Sequence, residues 1–449
     1  MDPCATSIPP SPVIRPKLPR LHTLKTFNLP PHKVDDLLTS AATSALATPS
    51  TEFFGGRPLN ILVAPSGFKE SLGPESVADA IEAGVRKVVK EDEAFVRKIP
   101  LHDGGEGFCR ALVAAQDGDI MEYTVTGPMG CAVTSHLGFI GEDKKTAVMD
   151  MAAAAGLRLV PKDSRDPTIT TTYGVGELIE KALDQGCTKI IIGCGDSGTS
   201  DGGAGMLQAL GIRLLDAKGE ELPKAGGGQS LLRLHKIEWN EVHPRLRNNA
   251  VQIEVVCNIK NVLCGPKGVA RIYGPQKGAT PEQVELLSAA LERLAHVAGQ
   301  NLKADISTIP GSGASGGLGA GLMLIGAYMR PRSDAINEYF ELDSVFHTRW
   351  DFVITAEGSL DSQSTEGKMT TEVARRAKRH GAQVVALAGT IGEGADVCYG
   401  AGIKAFTSIQ QGPSSLEKAI QETERLLKTE AENMLRMIMV GLTLGQREA

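Results

Sequence analysis

A chain of 449 residues that sets 47 Lys and Arg against 53 Asp and Glu has no basic surplus with which to displace counterions from a nucleic-acid backbone. No apolar run reaches the roughly 20 residues of a membrane-spanning helix, and eight cysteines without a C-x-x-C spacing indicate neither a zinc ribbon nor a disulfide framework. The length holds about two to three domains; 51 glycines and 4% aromatics suit strands and helices alternating through tight turns, and the thiols read as core residues of a cytoplasmic protein.

Residues 1–57 stand apart. Pro9, Pro10, Pro12, Pro16, Pro19, Pro30 and Pro31 break any regular element, and Ser/Thr/Ala-rich sequence follows, so a disordered or loosely docked extension is expected. Arg15, Lys17, Arg20 and Lys25 raise a mitochondrial presequence as the alternative, which Asp2 and the prolines fit poorly. Leu59 to Pro65 then reads as a strand, followed by a small loop and a helix opened by Pro74 with Val77, Ile81, Val85, Val88 and Val89 on one face. Val133 to Ile140 and Thr146 to Met151 look like paired strands. Thr172 to Leu183 is a predicted helix ended by Gly186, and Thr188 to Gly193 and Val251 to Cys257 are predicted buried strands. Thr280-Pro281-Glu282-Gln283 has the form of a capping box. Beyond it come a strand at 351–355, a helix at 371–380, a strand at 383–388 and a helical tail from Ser415 to Val440. Such alternation predicts an α/β protein with a largely parallel sheet covered on both faces and ligands at the carboxyl ends of strands. The middle third, richer in hairpin-like pairs, reads as a second α/β domain at 128–284 inserted into a first one made of 58–127 and 285–449.

The densest chemical signal follows the predicted strand Thr188 to Gly193. Gly195, Ser197, Gly198, Thr199, Ser200, Asp201, Gly202 and Gly203 form a loop of small residues, hydroxyls and a carboxylate at a helix start. Glycines let backbone N–H groups approach an anion, and the helix dipole favours negative charge there. Asp103-Gly104-Gly105-Glu106-Gly107 repeats the pattern earlier, with Asp103 as a helix cap being the plainer alternative. Lys69, beside Ser71 after the first strand, Gln276-Lys277 at a helix start, and Glu357, Asp361 and Lys368 after a predicted strand are further candidates. The stretch Gly311 to Gly321 formally matches a dinucleotide fingerprint and a nucleophile elbow, but no predicted strand precedes it; Gly316 and Gly317 remain candidates for a phosphate contact. A Walker A loop is absent, since Gly367-Lys368 lacks its upstream glycine and downstream hydroxyl.

In this order, the pieces Ala64-Pro65-x-x-Phe68-Lys69-x-Ser71-Leu72, Asp103 to Gly107, Thr126-Gly127-Pro128, Ser200 to Leu207, Gly274 to Ala279, Gly316 to Ala320 and Glu357-Gly358-x-x-Asp361-x-Gln363 resemble the class I glycerate kinase family. The resemblance spans about residues 59–410. It implies a flavodoxin-like domain formed from both chain ends, an inserted domain of restriction-endonuclease-like topology, and ATP and D-glycerate bound between them. The family usually carries acidic residues where this chain has Ser66, Asn258 and Lys260, Arg at Ser359 and Gly at Ala356.

The implied chemistry is transfer of the γ-phosphoryl of ATP to a glycerate hydroxyl, which asks for alignment and charge neutralisation. In that reading Asp201 is the base or orienter of the hydroxyl, Asp103 or Glu106 supports Mg²⁺, and Lys69 neutralises phosphate or carboxylate. The loop Ser197 to Ser200 cradles the transferred group, with Lys277 as a further phosphate ligand. Two alternatives stand beside it: a catalytically silent sugar-acid-binding protein, and a hydrolase built on Ser197 or Ser315.

Overall fold

The computed structural model describes residues 57–445 apart from 69, 103, 249, 303, 304 and 366, so the expected N-terminal extension lies outside the described residues but for Arg57. In chain order the strands are Leu59–Val63 (β1), Ala94–Lys98 (β2), Asp119–Thr126 (β3), Ala132–Ile140 (β4), Thr146–Asp150 (β5), Lys189–Gly193 (β6) and Arg213–Leu215 (β7). They continue with Lys236–Glu238 (β8), Gln252–Cys257 (β9), Tyr328–Pro331 (β10), Phe352–Leu360 (β11), Gln383–Ile391 (β12) and Ile403–Ser408 (β13).

One sheet runs β13-β12-β11-β1-β2, parallel throughout. Counted along the chain this is the flavodoxin-like order 2-1-3-4-5, whose direction of growth reverses between β1 and β11. Its central strands β1, β11 and β12 are buried on both faces over most of their length, as a continuous apolar run requires. Ile61 and Val63 join a core closed by helices Pro74–Val85 and Thr423–Gly445, while Leu62 joins a second core under helices Phe108–Ala115 and Met369–Arg379. Each fully buried Val, Leu or Ile in these faces contributes about 1.5–3 kcal/mol.

The second sheet runs β10-β9-β6-β5-β4-β3. Its first four strands are parallel, and β4 and β3 continue it as an antiparallel hairpin. Val148, Ile191 and Val256 on one of its faces share the core of Phe108 and Leu112 with the first sheet. The helix Phe108–Ala115 is thus packed between the two sheets. On the opposite face, helices Tyr173–Asp184, Pro281–Leu302 and Ala314–Leu324 bury Leu178, Leu291 and Leu318.

This places the second sheet from residue 119 to 331, beyond the expected insertion at both ends. The Gly127-Pro128 signal belongs to the β3–β4 turn, closed by Gly127 N–H donating to the Cys131 carbonyl at 2.7 Å, and not to a linker. The apolar face of Pro281–Leu302 likewise finds its partners on the second sheet's side. Other expectations hold closely. The capping box is formed by reciprocal bonds between Thr280 and Gln283, and Gly186 ends its helix at φ 73. The tail is two helices, Leu416–Gln421 capped by Ser415 and then Thr423–Gly445. Cys109, Cys187, Cys194, Cys257, Cys264 and Cys398 are buried free thiols. Among the described residues no helix is long and apolar enough to cross a membrane.

Candidate active site

The carboxyl ends of strands from both sheets meet, and glycine makes the meeting close. A Cβ on Gly195, just after β6, would lie 2.7 Å from Gly105 Cα, and one on Gly193 would lie 2.6 Å from the Gly104 carbonyl oxygen. Only residues without side chains permit this approach. The two Asp-Gly-Gly-type loops are therefore in contact, and Glu106 N–H donates to Asp196 Oδ2 at 3.2 Å across the junction. Asp103 itself lies outside the described residues. The helix that follows is capped by Asp150, whose two oxygens accept from Gly107 and Cys109 N–H, each at 2.9 Å. Asp150 ends β5, a carboxyl-end position that the sequence reading used for Glu357 but passed over here.

A third glycine loop closes on the second. A Cβ on Gly316 would meet the Thr199 carbonyl oxygen at 1.9 Å, and one on Gly317 the Cα of Gly202 at 2.8 Å. Gly202 N–H also donates to the Gly316 carbonyl at 3.1 Å. Behind this junction Lys277, 3% exposed, donates to Ser197 Oγ at 2.9 Å and to the Thr199 carbonyl at 2.6 Å. It braces the loop from within instead of projecting toward a ligand, whereas its neighbour Gln276 is exposed.

Asp201 departs from the expected role of base. It is 1% exposed: Oδ2 accepts from Thr172 N–H at 2.8 Å, Thr172 Oγ1 at 2.8 Å and Gly205 N–H at 3.1 Å, and Oδ1 accepts from Gly203 N–H at 3.1 Å. Burial raises its carboxyl, and these donors oppose the rise. The carboxylate ties the turn to the start of two helices, and its acceptor capacity is spent there. Gly198, Thr199 and Ser200 are buried beside it, the Gly198 carbonyl accepting from Thr170 Oγ1 at 2.9 Å. Ser71, expected at the ligand, donates instead to the Ile420 carbonyl at 2.9 Å and anchors the tail. Lys69 lies outside the described residues.

The first sheet contributes a charged cluster at its switch point. Ser66, after β1, donates its N–H to the Ala356 carbonyl of β11 at 2.8 Å, and Glu357 follows. Lys368 Nζ reaches Glu357 Oε2 at 3.4 Å, Asp361 Oδ2 at 3.3 Å, the Ser359 carbonyl at 2.6 Å and Ser364 Oγ at 2.9 Å. Glu357 is 6% exposed and its Oε1 has no hydrogen-bond partner. Burial pushes this carboxyl up to about 7, Lys368 and the Thr370 hydroxyl pulling only partly against it. The cluster borders the second sheet: a Cβ on Gly367 would lie 4.0 Å from Oδ1 of Asn258, after β9, and Arg332, after β10, donates Nε to the Gly367 carbonyl at 2.8 Å.

Between the walls, Glu106 pairs with Arg158 at 2.9 Å, and Glu70 with Arg165 at 3.3 Å. Burial raises the Glu106 carboxyl, Arg158 opposing and Asp150 and Asp196 adding to the rise. Two hollows elsewhere, of about 490 Å³ beside Glu292 and His296 and about 580 Å³ beside Trp239 and Arg247, include none of these groups.

The family model described as the glycerate kinase family matches residues 61–439. The chain belongs to the glycerate kinase family. It is 42% identical over 387 residues to the glycerate kinase of Bacillus subtilis (strain 168), covering 86% of this chain and 99% of that protein. It is 40% identical over 385 residues to the glycerate 2-kinase of Escherichia coli (strain K12), covering 86% and 99%. The crystal structure of putative glycerate kinase 2 from Salmonella typhimurium LT2 is similar with a TM-score of 0.65 and 40% identity, covering 86% of this chain and 99% of that one. The converging loops all fall inside the matched glycerate kinase span.

Proposed function

We infer that this chain phosphorylates D-glycerate with ATP, the 40% identity to a glycerate 2-kinase favouring the 2-hydroxyl as acceptor. The observation that carries the reading is the contact between the glycine loops that follow β2 and β6, with the Glu357 carboxyl standing toward the carboxyl end of β11 in the same sheet as β2. Phosphoryl transfer needs the reacting groups held in line and the triphosphate charge neutralised. The loops Gly195 to Gly203 and Gly316 to Gly317 suit the first task by their fixed shape, since the N–H groups of Gly198, Gly202, Gly203 and Gly317 are tied to Ala155, Gly316, Asp201 and Gly313. Lys277 holds that loop rigid from behind.

Glu357, and not Asp201, is the group we assign to accept the glycerate hydroxyl proton. Burial that pushes it up to about 7 suits a proton acceptor at neutral pH, with the Thr370 hydroxyl beside the carboxyl. Lys368 beside it suits a substrate carboxylate as a point charge. Asp201 becomes a positioning residue. Mg²⁺ would be held by the carboxylates of Glu106 and Asp196, each of which disfavours the other's charge, the Glu106 carboxylate otherwise pairing with Arg158. Bound there, the ion would spread the charge of the polyphosphate. A hydrolase finds no support at either serine: Ser197 Oγ faces the Lys277 ammonium, and Ser315 Oγ is buried without a partner. We place the enzyme in the cytoplasm.

The test is to incubate the purified chain with Mg-ATP and D-glycerate and resolve the phosphoglycerate isomers. One 2-phosphoglycerate per ADP is expected. ATP consumption independent of glycerate, or thermal stabilisation by glycerate with no product, would refute the reading.

A further inference from the structure

Away from the loop junction, a row of metal-ligating side chains crosses the second sheet. The β4–β5 register pairs Gly138 with Val148, and its continuation sets His136 opposite Asp150. On the other side of His136 the β3–β4 register sets Glu122. All three share a face, because the side-chain period of a strand is two. Over that face lies the helix Phe108–Ala115, admitted by Gly138, where a Cβ would fall 2.2 Å from Val113 Cγ2 and 3.1 Å from Cys109 Sγ.

The result is a Cys109, His136 and Asp150 triad whose ligand atoms all lie within 4.8 Å of one another. His136 Nε2 is 3.9 Å from Asp150 Oδ1 and is buried with no hydrogen-bond partner. An orphaned buried imidazole nitrogen is costly and calls for an explanation. Asp150 accepts one N–H on each oxygen and keeps a lone pair on each. Cys109 Sγ donates to the Val148 carbonyl at 3.2 Å.

We propose that Cys109, His136 and Asp150 form a binding site for a thiophilic divalent cation of the Zn²⁺ type, with Glu122 or water as fourth ligand. Thiolate, imidazole and carboxylate are a borderline-soft donor set that suits Zn²⁺ and disfavours Mg²⁺. Coordination displaces the Cys109 thiol proton to solvent and satisfies the orphaned nitrogen. Because Asp150 also caps the helix that follows the Gly104–Gly107 loop, the ion would sit directly beneath one wall of the candidate active site. Neither the glycerate kinase reading nor Mg²⁺ is needed for this site, and activity is not its readout.

The test is equilibrium dialysis of the metal-free full chain against Zn²⁺ and, separately, Co²⁺ in Mg²⁺-free buffer, with Cys109→Ala and His136→Gln alongside. One retained equivalent, a near-ultraviolet thiolate-to-Co²⁺ band absent from Cys109→Ala, and affinity weakened at least about tenfold in His136→Gln are expected. His136→Gln, on the less buried member, keeps the test open if Cys109→Ala does not fold. No retained equivalent, or equal affinity in wild type and His136→Gln, would overturn the proposal.

Discussion

Asp201 and Glu357 show how burial alone fails to tell a reactive carboxyl from a structural one. Both are nearly inaccessible, but four donors converge on Asp201 while Oε1 of Glu357 meets none. Asp201→Asn places an amide N–H₂ against backbone donors. It should cost about 3 kcal/mol of stability in urea unfolding and lower kcat by disordering the loop, with the shape of the pH–rate profile retained. A fully active, equally stable Asp201→Asn would remove it even from the positioning role. The sequence made Asp201 conspicuous by its hydroxyl- and glycine-rich surroundings. Those surroundings exist because the turn packs tightly against Gly316 and Lys277, a long-range fact that local composition does not carry.

The glycine loops are the elements whose meaning the sequence did carry. The position of the Gly195 to Gly203 loop after β6 was legible from an apolar strand ending in small residues, as were Glu357 and Asp361 from the apolar start of β11. The edge strands β3 and β13 were not foreseen. Their solvent-facing residues blur the period-two pattern, as in the mostly exposed Asp119–Thr126. Gly127-Pro128, at the expected start of the inserted domain, lies in the β3–β4 hairpin turn, a place where Gly and Pro are equally at home. The loop contact has a direct consequence. Gly195→Ala adds a methyl 2.7 Å from Gly105 Cα without a positive φ to strain. It should push the two walls apart and reduce kcat/KM by tens of fold to about a hundredfold, with circular dichroism unchanged. Activity within a few-fold of wild type would show that the walls need not touch.

The two sheets are coupled by their common apolar core around Phe108, and a buried ionic knot ties the second sheet to the helix that leads back to the first. Glu254, on β9 and 0% exposed, accepts from Tyr339 Oη at 2.6 Å, Lys189 Nζ at 2.9 Å, Arg330 Nη1 at 2.9 Å and Tyr328 Oη. Tyr339 ends the helix Arg332–Tyr339 that carries the chain from the second sheet back to the first. Burial alone would raise the Glu254 carboxyl, but these donors hold it at about 2, below its ordinary 4.5. The bound-proton balance then makes its stabilisation full above about pH 4.5 and lost as pH falls toward 2. Glu254→Gln should cost about 3–5 kcal/mol at neutral pH and flatten the acid limb of stability measured by urea unfolding. An unchanged acid limb would sink this.

We assign the acceptor's proton to Glu357, and the pH dependence of kcat/KM for glycerate phosphorylation tests that most directly. Wild type should rise with pH through an apparent pKa of about 7 as the carboxyl ionises. Glu357→Gln should be slower by about a hundredfold or more and lack that limb. A variant that keeps the limb at near wild-type rate would contradict the assignment.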